Sequence, residues 1–240
     1  MKSDLDARSS AHCQTYFDEA SKSWELKYAP GGSMVGRLAR IVEPLKRQVP
    51  AGGRILEFGC GTGDIAAQCA SEGYKVDAVD LSTKMIERAR SRFRIESVDF
   101  NACADTLKLP FAGGTFDAIV ASSVLEYVRP IKQQLEELQR VCKVGGHSFI
   151  TVPNMAHPLR WLEEVEKRIV IPIRGRLSRA WRARDEYLAL SVNRQSLREW
   201  TELFTRTGWK VIATEQLFRP LMLIVAEKGA TIASNNAKPV

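Results

Sequence analysis

No stretch of this 240-residue chain approaches the roughly 20 uninterrupted apolar residues that a bilayer-spanning helix needs. The start, Met1-Lys2-Ser3-Asp4-Leu5-Asp6, lacks the apolar core of a secretory signal, so the expected location is the cytoplasm. Cysteine is sparse. The five residues (Cys13, Cys60, Cys69, Cys103, Cys142) are odd in number, without the close pairs of a zinc site or the density of a secreted scaffold. No metal site is expected, and the thiols read as small buried side chains. Acidic residues are also in deficit, 28 against 35 Lys and Arg, which leaves a formal charge of +7. That balance favours an anionic partner, whether phosphorylated substrate, membrane surface or nucleic acid, and does not choose among them.

What is present is alternation. From Arg54 onward, short β-branched runs alternate with segments of helical period, the pattern of a mainly parallel sheet covered by helices. Strands are expected at Arg54–Phe58, Lys75–Asp80, Val98–Cys103, Phe116–Ala121 and His147–Val152. Met85, Ala89 and Phe93 mark one helical stripe; Ile131, Leu135, Leu138 and Cys142 mark another, ended by Gly145-Gly146. A last helix near Ser196 to Arg206 leads into runs Lys210–Glu215 and Leu221–Glu227, whose short connection favours an antiparallel hairpin. Residues 1–48 read as a helical lid broken at Pro30-Gly31-Gly32, and 49–228 as the α/β domain. Within it, 153–193 is too long for a simple connection and reads as an inserted cap. The polar tail 229–240 reads as disordered.

The first strand runs directly into Gly59-x-Gly61-x-Gly63, a side-chain-free turn at the sheet edge where open α/β folds bind ligands. About 20 residues later Asp80 ends the second strand, placed to accept hydrogen bonds from ribose hydroxyls. A dinucleotide fingerprint would need glycine at position 64, where Asp64 stands. A carboxylate there is awkward for pyrophosphate and tolerable for a phosphate-free, cationic nucleotide.

Glu57-Phe58-Gly59-Cys60-Gly61-Thr62-Gly63 resembles the first motif of class I S-adenosylmethionine-dependent methyltransferases. Further motifs match in order: Val79-Asp80-Leu81-Ser82-x-x-Met85, Ala104-Asp105, Leu109-Pro110-Phe111 with Phe116-Asp117, Val124-Leu125-Glu126-Tyr127-Val128, and Leu138-x-Arg140-Val141-x-Lys143-Val144-Gly145-Gly146. The likeness covers about Gly53 to Val152 and is closest to the small-molecule, type 11 or quinone-methyltransferase-like branch. It implies a Rossmann-like seven-stranded, mainly parallel sheet with helices on both faces, an antiparallel C-terminal hairpin and a cap after strand five. It also implies S-adenosylmethionine as cofactor and S-adenosylhomocysteine as product. Gly59, Cys60, Gly61 and Gly63 would lie against the methionine part, Glu57 would support its amino end, and Ser122 would sit nearby. Asp80 would hold the ribose. Leu81 and Met85 would pack on the adenine, Asp105 would accept from its amine, and Ala104 would touch the ring through its main chain.

Methyl transfer needs an acceptor held in line and water kept out; a base helps only a hydroxyl of high pKa. His157, Tyr127 and Glu126 are the candidates beside the ligand-binding edge. The expected acceptor is small, an oxygen of a quinone-like, sugar or lipid-linked compound. An RNA methyltransferase and a non-catalytic binding protein of this fold are the alternatives. Against nucleic acid stand Ala121-Ser122-Ser123 in place of a base-methylating Pro-Pro signature and the lack of an RNA-binding module. The cap is rich in Arg with Trp161 and Trp181 beside apolar residues, so 160–184 is a candidate for contact with anionic membrane.

Overall fold

The computed structural model describes residues 2–170, 179–218 and 220–229. The expected tail beyond Gly229 and positions 171–178 of the expected cap lie outside them. Seven strands form one sheet: β1 (Arg54–Phe58), β2 (Lys75–Asp80), β3 (Val98–Ala102), β4 (Phe116–Ser122), β5 (Cys142–Pro153), β6 (Trp209–Phe218) and β7 (Leu221–Lys228). Their spatial order is β3-β2-β1-β4-β5-β7-β6. The first five are parallel, and β7 runs antiparallel between β5 and β6. The mainly parallel sheet with a C-terminal hairpin is therefore as the sequence implies. No described helix is long and apolar enough to cross a membrane.

Burial on both faces explains why the central strands are apolar runs without a polar side. Ile55, Ala118, Val120, Phe149, Leu223 and Val225 face one core cluster, and their neighbours Leu56, Ile119, Ala121, Ile150 and Ile224 face the other. Helices α2 (Val35–Gln48), α3 (Asp64–Ser71) and α4 (Thr83–Arg92) cover the first face, through residues such as Ile41, Leu45, Ile65 and Ile86. On the second lies α5 (Ile131–Val141), whose Leu135 and Leu138 are fully buried. The last helix (Leu197–Arg206) joins it there with Trp200 and Phe204 one turn apart, its first turn closed by a capping box between Ser196 and Glu199.

Two boundaries differ from expectation by more than one residue. The stripe ending at Gly145-Gly146 stops as helix at Val141, and β5 begins at once with Cys142. Pairing passes from Phe116↔Cys142 to Ala118↔His147, so the extra residues bulge out around Gly145, whose φ is +75°. At the other end, β6 runs three residues past the expected Glu215, because β7 offers it a partner as far as Leu221. Ahead of the sheet stands α1 (Lys2–Trp24), followed by a short 3-10 helix over Glu25–Lys27 and the expected break. After β5 come α6 (Pro158–Val165), a π-helical turn over Glu166–Val170, and α7 (Arg179–Leu190); the last helix is thus α8.

Phe149 is fully buried in the middle of the sheet. Phe149→Ala is expected to cost about 3–5 kcal/mol of stability, read as a lowered urea midpoint at unchanged slope.

Candidate functional site

At the end of β1 the chain turns sharply. The amides of Gly59 and Cys60 donate to the Val79 carbonyl at 2.8 and 3.0 Å, which locks the loop onto the end of β2. Gly59 has φ +74°, and a Cβ there would stand 2.5 Å from the Val124 side chain, so no other residue fits. Asp80 closes the arrangement: one carboxylate oxygen accepts from the Gly61 amide and the other from Ser82, both at 2.8 Å. Burial pushes its pKa up to about 6, against the pull of those two hydrogen bonds.

Glu57 is 2% exposed. Its pKa is held well above the carboxylate range by burial, opposed by a hydrogen bond from the Ala66 amide, and its Oε2 has no partner among the described residues. The buried Ser122 Oγ likewise has no partner among the described residues. Asp64, by contrast, is answered by Arg92 at 2.7 Å and by the Thr62 hydroxyl at 2.7 Å.

The N-terminal segment lies over this loop. Asp18 Oδ1 accepts from the Ser82 hydroxyl at 2.5 Å and the Lys84 amide at 3.3 Å, tying α1 to the first turn of α4. The Trp24 indole lies against Gly61, and the Lys27 ammonium stands 3.3 Å from the centre of that indole. From α2, Arg37 Nη1 donates to Ser123 Oγ at 2.9 Å. Phe17 meets Tyr127 edge-on at 5.3 Å.

Trp24, Lys27, Arg37, Ser123, Phe17 and Tyr127 line a cavity of about 500 Å³ that continues from Asp80 and Glu57 to the segment after β4. At its far end Glu126 is buried, accepting from Ser191 at 2.7 Å and hydrogen-bonded to Tyr127, which in turn bonds Tyr187 of α7. Burial raises the pKa of all three, while Ser191 and Arg160 pull that of Glu126 back. Arg160, buried on α6, pairs with Glu163 at 2.9 Å. Asn193 fixes the backbone here, its side-chain amide donating to the Leu125 and Val128 carbonyls at 2.7 Å each.

Of the residues singled out from sequence, Glu57, Gly59, Cys60, Gly61, Asp80, Leu81, Met85, Ser122, Glu126 and Tyr127 all line the one cavity. Four do not. Gly63 faces the Phe100 ring and Ala89, where a Cβ would come within 2.6 Å, so it serves helix–sheet packing. Asp105 turns back to accept from the Leu107 amide at 3.2 Å, leaving Cys103 and Thr106 on the wall in place of Ala104 and Asp105. His157 caps α6, its Nδ1 accepting from the Leu159 amide at 3.2 Å, and stays off the cavity. Arg160 and Tyr187 line it from the expected cap, while Lys27, Tyr28 and Arg37 line it unforeseen, because nothing in their local sequence marks them.

A family model described as a methyltransferase domain matches residues 56–150. A ubiquinone/menaquinone biosynthesis C-methyltransferase of Desulfotalea psychrophila is 34% identical over 58% of this chain and 58% of its own length, so less than two thirds of that protein is covered. A demethylmenaquinone methyltransferase of Clavibacter sepedonicus is 30% identical over 87% of this chain and 84% of its own. Among solved structures, the Haemonchus contortus phosphoethanolamine N-methyltransferase 2 in complex with S-adenosyl-L-methionine aligns with a TM-score of 0.65 at 21% identity. The alignment covers 89% of this chain and 57% of that one, a likeness of fold.

Proposed function

This chain belongs to the class I S-adenosylmethionine-dependent methyltransferases, and from that premise we propose that it methylates a small, quinol-like aromatic acceptor bearing an ionisable ring hydroxyl. One observation carries the proposal: a single cavity joins the Asp80–Glu57 end to the buried Glu126–Tyr127–Tyr187 end. The residues fit the cofactor. Glu57 Oε2 and Ser122 Oγ are buried acceptors without partners, suited to an ammonium. Beyond the amides of Gly61 and Ser82, the Asp80 carboxylate keeps lone-pair capacity for ribose hydroxyls. Leu81 and Met85 offer an apolar wall to a flat ring, with Cys103 and Thr106 beside them.

When bound, S-adenosylmethionine supplies an electrophilic methyl group. The protein's part is to hold the acceptor, keep water out with Phe17 and Trp24, and take a proton. Tyr127 is the relay: its Oη receives the acceptor's proton as its own passes to Glu126. Its raised pKa suits a group that passes protons without resting as phenolate. The ionised hydroxyl is then nucleophilic at its oxygen and at the neighbouring ring carbon. The printed names of the two curated relatives, both concerned with quinones, support this acceptor class.

The outward side of α6 and the turn after it favours a membrane-borne acceptor. Leu159, Trp161, Leu162 and Ile169 are 38%, 67%, 50% and 58% exposed there, while Arg160 faces the cavity. The sequence from 167 to 184 carries seven Lys and Arg and no acid. Trp beside Arg and Lys is the composition of an interfacial helix.

Calorimetric titration tests the cofactor site. S-adenosylmethionine and S-adenosylhomocysteine are expected to bind and NAD not to, with Asp80→Ala weakening binding by about 1–3 kcal/mol. The binding form is the carboxylate, so affinity holds above pH 7 and falls as pH drops through the Asp80 pKa of about 6. On a reduced naphthoquinone acceptor, Tyr127→Phe should lower kcat on the order of 10²-fold and leave S-adenosylhomocysteine affinity intact, whereas His157→Ala keeps full activity. Sedimentation with phosphatidylglycerol vesicles at low salt should carry the protein down, and Trp161→Ser with Leu162→Ser should release it. A protein left in the supernatant rules the membrane contact out.

A further inference from the structure

Four cations line the cavity: Arg160 has Glu163 at 2.9 Å and Arg129 is exposed, which leaves two half-buried ones. Lys27 touches the Trp24 ring at 3.3 Å, and Arg37 reaches Ser123 Oγ at 2.9 Å; neither forms an ion pair among the described residues. Both are half-buried, and both line the same cavity. Burial and the charge of Arg37 together push the Lys27 pKa down to about 8. Two like charges held partly out of water repel each other and lose hydration, a cost that an anion between them would offset.

We infer that Lys27 and Arg37 form a carboxylate-binding site built entirely by the N-terminal lid. A guanidinium presents a planar fork of donors and an ammonium a compact point charge, a pairing that suits one carboxylate group. The two residues stand on opposite sides of the break between the 3-10 helix and α2, so an anion held by both joins the two arms of the lid. Trp24, stacked under Lys27, rests on Gly61, which couples the site to the β1–α3 loop. This inference rests on the cofactor reading above, and the carboxylate has two possible sources: the methionine end of the cofactor or an acidic group on the acceptor.

Calorimetry on the full chain, on Lys27→Met, Arg37→Met and the double variant separates the sources. The probes are S-adenosylhomocysteine, 5′-methylthioadenosine, which lacks the carboxylate, and benzoate added with and without S-adenosylhomocysteine. Methylthioadenosine should bind all forms alike, which certifies that the variants are folded around the Asp80 end. If the cofactor supplies the carboxylate, the double variant binds S-adenosylhomocysteine at least about tenfold more weakly. If the acceptor supplies it, that affinity holds and benzoate binds the wild-type protein but not the variant. Lys27→Arg, which keeps the charge, should follow the wild type in either case. The inference is overturned if the double variant matches the wild type with both S-adenosylhomocysteine and benzoate. Failure of the wild type to bind either nucleoside would sink the cofactor reading instead, while Lys27- and Arg37-dependent benzoate binding would still decide the anion site.

Discussion

The bond pair made by the Asp80 carboxylate is the constraint on which the site depends. One oxygen holds the Gly61 amide and the other the Ser82 amide, so the loop after β1 and the first turn of α4 are clamped to one side chain. Ser82 then caps α4 by accepting from the Met85 amide and donates its hydroxyl hydrogen bond to Asp18, which draws in α1. Three elements far apart in sequence thus share a single small junction. The same junction is costly to leave buried and charged, which is why the Asp80 carboxyl titrates near pH 6 and not in its ordinary range.

Around that junction the cavity is polarised. Glu57 and Ser122 bring buried acceptors without partners, while Lys27 and Arg37 bring cations without acids. A ligand carrying both signs of charge on one small group satisfies both walls at once, and the charges of an amino acid are of that kind. Asp64, the residue that argued against pyrophosphate, is neutralised by Arg92, so the turn carries less negative charge than its sequence suggests.

The other end is shaped from a distance. Residues 191–193 return from α7 and pin the segment after β4: Val192 and Asn193 amides donate to the Glu126 carbonyl, and the Asn193 side chain holds Leu125 and Val128. Glu126 and Tyr127 therefore face the cavity because a stretch more than sixty residues later fixes their backbone. Arg160, Glu163 and Arg194 add a buried charge network behind them, with Glu163 bridging the two guanidiniums at 2.9 and 2.8 Å.

The sequence by itself determined the sheet, the loop and the hairpin. β1 and β2 span the residues expected of them, Ser196 and Glu199 announce α8, and Gly59 to Gly63 followed by Asp80 mark the ligand edge. Those signals are local: a strand buried on both faces, a cap or a turn is written within a few neighbouring residues. Where β5 starts was not legible, because Cys142 keeps the helical spacing and only pairing with Phe116 makes it a strand. Nor were the directions of side chains. His157 and Asp105 carry suitable chemistry at suitable positions yet turn to their own backbones, while Lys27, Arg37, Arg160 and Tyr187 enter the cavity from elements that meet only in the fold. Tertiary structure alone decides such matters, since charge pairing and burial depend on which surfaces come together and not on the spacing of residues along the chain.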